Sequence, residues 1–115
     1  MKLSQIAEIL EAEYLCGKER CDMEIESICG SDLMSDVMAY VKEGGMLLTG
    51  LIHPQVIRTA EMMDISAIVF VRGKKPDENI IKLAIEKNIA ILSTALPMYQ
   101  ACGRIYSAST GEGKT

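Results

Sequence analysis

Tryptophan is absent from this 115-residue chain, while phenylalanine and histidine each occur once. With four tyrosines as the remaining aromatic surface, few side chains are available to stack on bases or sugars. No basic block offsets the formal net charge of −4 and the pI near 5.0, so nucleic acid and anionic membranes are poor partners. No apolar run approaches the roughly 20 residues that a membrane span requires. The opening MKLSQIAEILEAEY has the pattern of an acidic amphipathic helix and not of a signal peptide. The expected compartment is the cytoplasm. No linker, repeat or low-complexity stretch precedes residue 108, so a 12.6 kDa chain reads as one domain over residues 1–107, followed by a Gly- and Ser-rich tail, 108–115, expected to be disordered.

What the chain does have is aliphatic. Apolar residues make up 49% of it and eight are methionines, which fill irregular cores and also form adaptable contact surfaces. The four cysteines, Cys16, Cys21, Cys29 and Cys102, contain no C-x-x-C knuckle of the kind most structural zinc sites use. Cys16 and Cys29 are expected to be buried strand residues and all four thiols to be structural and reduced, with no metal and no cofactor bound.

From Met46 onward one pattern recurs: a short apolar run, a small or polar turn, then helical spacing. MLLTG leads into HPQVIRTAEMMD, ISAIVFVRG into PDENIIKLAIEKN, and IAILST into LPMYQACGRIY. Strand and helix alternating three times demand a parallel sheet whose loops gather at one end. Because the runs do not alternate in polarity, Met46–Leu51, Ala67–Val71 and Ala90–Leu92 are predicted to be neighbouring parallel strands covered on both faces. The fold class is therefore three-layer α/β/α with a mostly parallel sheet. Upstream, Leu3, Ile6, Ile9 and Leu10 predict a helix with Ser4 as a plausible N-cap, ending near Ala12. EYLCG and MEIESICG predict two short strands around the turn KERCD, a hairpin or short edge piece. GSDLMSDVMAYVKEGG predicts a helix capped by Ser31 or Asp32, with Leu33, Val37, Met38 and Val41 inward and Gly44-Gly45 as its stop.

Open parallel sheets bind ligands outside the carboxyl ends of their strands, where loop amides and helix N-termini converge. Those ends carry Gly30, Ser31 and Asp32, then Thr49, Gly50 and His53, then Arg72, Gly73 and Lys74, and finally Ser93 and Thr94. Arg72 and Lys74 add positive charge suited to phosphate or carboxylate. The same residues have structural uses, since glycines make turns and Ser and Thr cap helices. His53 precedes Pro54 at a helix start and reads either as a proton-transfer or anion-contacting group or as a cap. No catalytic set can be assembled around it from the sequence. The tail ASTGEGKT fits a loose phosphate-loop pattern, but a helix precedes it and the chain stops at Thr115, where such a loop needs a strand before and a helix after.

In strand lengths and loops the chain resembles the DRTGG domain and, through it, the N-terminal domain of HPr kinase/phosphorylase. The carriers are CGKERCDMEIESICGSDLMSDVMAYV and LLTGLIHPQVIRTAEMMDISAIVFVRGKKPDENIIKLAIEKNIAILSTALPMYQACGRI, above all the stretch from Ala67 to Thr94. The namesake triplets are replaced here by Gly50-Leu51-Ile52 and Val71-Arg72-Gly73. The resemblance implies a non-catalytic regulatory or dimerising module. The expected function is thus a homodimeric regulatory domain binding a small anionic, phosphorylated or nucleotide-like ligand at the strand ends, or receiving a protein partner. The competing reading is a phosphotransfer-related enzyme or accessory subunit that uses His53.

Overall fold

The structure is a computed structural model that describes residues 1–41 and 45–114, with side chains to residue 109. Along the chain run α1 (Leu3–Leu10), β1 (Glu13–Cys16), a 3-10 turn (Lys18–Arg20), β2 (Ile28–Gly30), α2 (Met34–Tyr40), β3 (Met46–Thr49), α3 (Pro54–Met62), β4 (Ala67–Phe70), α4 (Glu78–Glu86), β5 (Ala90–Ser93) and α5 (Met98–Lys114). The strands form one sheet in the order β1-β5-β4-β3-β2, with β2 to β5 parallel and β1 antiparallel at one edge.

The three central strands match the sequence prediction. Met46 pairs with Ala67 and Ala67 with Ala90, so the strands start level, and every residue of β3, β4 and β5 is buried. Side chains alternate across the sheet. Met46, Leu48, Ala67, Val69, Ala90 and Leu92 meet α1 and α5 on one face. Leu47, Ile68, Phe70 and Ile91 meet α2, α3 and α4 on the other. Each connection from β2 to β5 advances one strand in the same direction, and connections of one hand lay their helices on one face. That leaves the second face to the helices at the two chain ends.

Three helices stop by the same device. Ala12 N–H reaches back to the Ala7 carbonyl at 2.9 Å, Ile65 to Ala60 at 2.8 Å and Ile89 to Ala84 at 2.9 Å. The residue before each turns left-handed, with φ of 51° at Glu11, 54° at Asp64 and 58° at Asn88. This closure satisfies orphan carbonyls and aims the chain directly into the next apolar stretch.

Several local expectations are corrected. The two N-terminal strands do not form a hairpin: β1 pairs with β5 and β2 with β3, at opposite edges of the sheet. The α1 N-cap is Lys2, whose backbone N–H is taken by the Gln5 side chain at 2.8 Å, and not Ser4. Neither Ser31 nor Asp32 caps α2, because its N-cap is Leu33 and no side chain closes it. Met34 and Val37 form the buried stripe of that seven-residue helix, whereas Leu33 and Met38 are exposed. Of the expected Gly44-Gly45 stop, Gly44 lies outside the described residues. The helical backbone of α5 runs to Lys114.

Candidate functional site

Parallel strands that start level also end level, so the loops after β2, β3, β4 and β5 leave the sheet side by side. Asp32, just beyond β2, is the hub. Its Oδ1 accepts the Gly50 N–H at 2.6 Å and the Thr49 hydroxyl at 3.1 Å, and its Oδ2 stands 3.9 Å from the Arg72 guanidinium. Thr49 is fully buried, and its hydroxyl also accepts the Leu51 N–H at 3.2 Å. Asp32 and Arg72 are each about half exposed.

The bare backbone of Gly50 lets the Arg72 guanidinium fold across it, where a Cβ would make that side chain shift. Arg72 itself adopts a left-handed backbone with φ of 60°, uncommon for a residue with a side chain. Two backbone bonds hold it there, from Arg72 N–H to the Leu96 carbonyl at 2.8 Å and from Gly73 N–H to the Thr94 carbonyl at 2.7 Å. The turn is therefore anchored to the chain beyond β5, and it delivers a guanidinium to the β3 end.

The remaining predicted residues divide. The Ser93 hydroxyl donates to the Lys74 carbonyl at 2.8 Å, which fixes the loop that exposes the Lys74 side chain. Thr94 is buried and turned inward, donating to the Leu10 carbonyl at 2.7 Å, so it ties α1 to the sheet. Ser31 closes a local turn by accepting the Leu33 N–H at 3.0 Å. His53 is exposed and caps α3, its Nδ1 accepting the Gln55 N–H at 3.0 Å. The structure thus brings Asp32, Thr49, Gly50 and Arg72 together, sets Gly73, Lys74 and Ser93 beside them, and turns the Thr94 hydroxyl toward α1.

Sequence reasoning missed a groove of about 670 Å3 between β2 and α5, lined by Ile25, Ile28, Gly30, Tyr99, Cys102 and Tyr106 among others. Its one sequence signal is Tyr99 and Tyr106, a heptad apart on α5 and both exposed. A second groove, of about 570 Å3, lies at the amino ends of the strands beside Asp64, Ser66, Lys87 and Asn88. The Asp32–Arg72 cluster lines neither groove.

Burial pushes the thiols of Cys16, Cys29 and Cys102 above their ordinary titration range, which leaves them protonated and weakly nucleophilic at neutral pH. All four cysteines are unpaired. Among the described residues, no cluster of His, Cys, Asp and Glu has the grouping a metal ion needs, and no helix is long and apolar enough to cross a membrane.

Comparison with known proteins adds a family and a fold. The DRTGG domain family matches residues 5–108. No curated protein matches the sequence. Among solved structures the chain is similar to the crystal structure of the CBS and DRTGG domains of the regulatory region of Clostridium perfringens pyrophosphatase, complexed with the activator diadenosine tetraphosphate. That similarity has a TM-score of 0.74 and 21% sequence identity, and covers 90% of this chain and 45% of the other. At that identity the likeness establishes the fold, and this chain spans less than half the length of its neighbour.

Proposed function

The chain belongs to the DRTGG domain family, and on that premise we propose that it is a non-catalytic regulatory module, dimeric in solution, that takes a small anionic or nucleotide-like ligand at the carboxyl ends of its strands. The observation that carries the ligand half is the meeting of three loops at one point, which sets the Thr49 hydroxyl, the Gly50 N–H and the Arg72 guanidinium within reach of a single acceptor group. A hydroxyl, an amide and a guanidinium are the donors that recognise phosphate oxygens. Lys74 adds a further exposed cation beside them. The family neighbour offers a parallel: the pyrophosphatase regulatory region is complexed with a nucleotide activator. We place the module in the cytoplasm on its acidic charge. Its effector is then either a catalytic protein it contacts or a further segment of a longer chain.

The dimer half rests on the distribution of exposed apolar surface. Among the described residues eight large apolar or aromatic side chains are exposed; six of them, Ile28, Leu33, Met38, Tyr40, Tyr99 and Tyr106, belong to β2, to α2 and its N-cap, and to α5 around one sheet edge. Apolar surface concentrated in this way calls for a partner, and a two-fold self-contact is the commonest one.

A thermal-shift screen of nucleotides and phosphorylated metabolites tests the ligand. A ligand at a hundredfold excess over its Kd stabilises the folded state by about 2.7 kcal/mol, which a melting curve resolves readily. The expected result is a shift with at least one phosphate-bearing compound that Arg72→Gln abolishes. No shift with any of them, or a shift indifferent to Arg72, removes the strand-end reading. Light scattering at micromolar concentration tests the dimer, with a mass near twice 12.6 kDa expected.

A further inference from the structure

The Asp32 carboxylate is itself an anion, and it occupies the position just assigned to a ligand. Its Oδ1 holds the Gly50 N–H at 2.6 Å and the Thr49 hydroxyl at 3.1 Å, while its Oδ2 faces Arg72 at 3.9 Å. The last contact is loose. A well-formed guanidinium–carboxylate pair sits near 2.7–2.9 Å, so Arg72 faces Asp32 without being committed to it. We infer that Asp32 is the resident anion of the strand-end seat: without ligand it satisfies the donors that a phosphate would use, and an incoming anion binds by displacing it and drawing Arg72 away from Gly50. This rests on the proposed ligand site and adds its regulation.

Three features of the geometry support displacement over a permanent latch. The carboxylate lies at the surface, half exposed, so it can swing into water without leaving a buried charge unpaired. It sits on the short loop between β2 and α2, and α2 has no side-chain N-cap that depends on Asp32. No Cβ at Gly50 stands in the path of the Arg72 guanidinium, which can therefore follow an incoming anion. The carboxylate thus keeps the seat polar and filled when empty of ligand, and it sets a threshold: only an anion able to outcompete an intramolecular carboxylate gains entry.

The experiment follows the Gly50 amide of the full chain by NMR during titration with inorganic phosphate, in the native protein and in Asp32→Asn. The variant keeps an oxygen of the same shape and removes the charge. It is expected to bind phosphate roughly tenfold more tightly, since one like charge has been taken from beside the anion. In the native protein the Gly50 resonance is expected to move as its acceptor changes, a readout that needs no variant to fold. Equal affinity in the two proteins, weaker binding by Asp32→Asn, or phosphate binding that leaves Gly50 unmoved would each overturn the inference while leaving a ligand site in place. Failure of both proteins to bind phosphate at any concentration tried would overturn the ligand reading and this inference together.

Discussion

The centre of the sheet and its two flanks follow different rules. In β3, β4 and β5 every side chain is buried, residues pair level with one another, and Ala67 and Ala90 leave room for helices to pack on the face they share. At the flanks the strands are short and irregular. β1 carries a register shift between Tyr14 and Cys16 and is fastened by contacts outside the ladder, including Lys75 Nζ to Glu13 at 2.6 Å and the Arg20 guanidinium to the Asn88 carbonyl. β2 has three residues, two of them exposed, and pairs on one side only. The centre is held by burial, one flank by polar pins, and the other carries apolar surface beside an open strand edge. The difference teaches where this fold stores stability and where it keeps surface for contact.

The largest expected effect is at the centre. Ile68 is fully buried between β3 and β5, and Ile68→Asp would place an unpaired carboxylate there at a cost of several kcal/mol, comparable with the whole ~5–15 kcal/mol stability of a small domain. Circular dichroism should show a chain that does not fold. A folded variant would mean the centre is softer than its burial implies, and the contrast with the flanks would collapse.

Next comes a pair of glycines, one at each flank. Gly17, after β1, has φ of 84°, and a Cβ there would fall 2.6 Å from the Ala90 Cβ and 2.7 Å from its Cα. Relief requires moving β5 itself, so Gly17→Ala is expected to cost about 2–3 kcal/mol from left-handed strain and overpacking together. Gly30, in β2, has ordinary backbone and would meet the Cys102 Sγ at 2.7 Å. A side-chain tip can yield where a strand cannot, so Gly30→Ala is expected to cost nearer 1 kcal/mol, and Cys102→Ala should recover most of it. Urea denaturation of Gly17→Ala, Gly30→Ala, Cys102→Ala and the double Gly30→Ala, Cys102→Ala measures both. Equal losses at the two glycines would show that the β2 side is as rigid as the β1 side.

These outcomes bear on what the sequence could reveal. The centre was legible because continuous apolar runs followed by helical spacing admit one arrangement, and the strand-end cluster followed from that topology, since Asp32, Thr49, Gly50 and Arg72 stand where parallel strands end. At the flanks the short edge pieces were legible but their partners were not. KERCD looks like a local turn, yet Glu13 pairs with Ser93 and Ile28 with Met46, and no pattern within a strand of three or four residues can name so distant a partner. Leu33 and Met38 fit an inward helical stripe, but a helix at the sheet margin buries a narrower one, Met34 and Val37. Thr94 has a second use that the sequence does not reveal, since a threonine at a strand end can satisfy a stray carbonyl, here that of Leu10. The groove beside α5 depends on bringing Gly30 against Cys102, which only the folded chain does.

A smaller effect on stability, but a larger one on assembly, is expected on the β2 side. Leu33 and Tyr40 are among the most exposed apolar side chains, so the double substitution Leu33→Ser, Tyr40→Ser should change monomer stability by no more than about 0.5 kcal/mol. It should weaken self-association if that surface is the dimer contact. Light scattering across a dilution series reports the change, with Met62→Ser on α3 as the control away from the edge. A dimer weakened by the control and not by the pair would move the contact to another surface.

The smallest expected effect is with pH, and its sign follows from the thiols. Burial raises the pKa of Cys16 on β1 and of Cys29 and Cys102 on the β2 side above the ordinary 9.0. In the unfolded chain these groups release protons first as pH rises. Beyond that point the folded state binds more protons than the unfolded state, and stability falls with pH. Their contribution is therefore complete below about pH 8 and declines as pH climbs through the raised values, with Tyr14, also raised by burial, acting in the same direction from above 10.0. All three thiols are part exposed, so the decline should be shallow. The urea midpoint at about pH 8 and at about pH 10.5 measures it, and Cys16→Ala against the double Cys29→Ala, Cys102→Ala apportions it between the flanks. If the β2 side opens more readily, its thiols see water sooner and the double substitution should flatten the curve less than its two thiols would suggest. A midpoint that rises with pH would contradict the burial of all three.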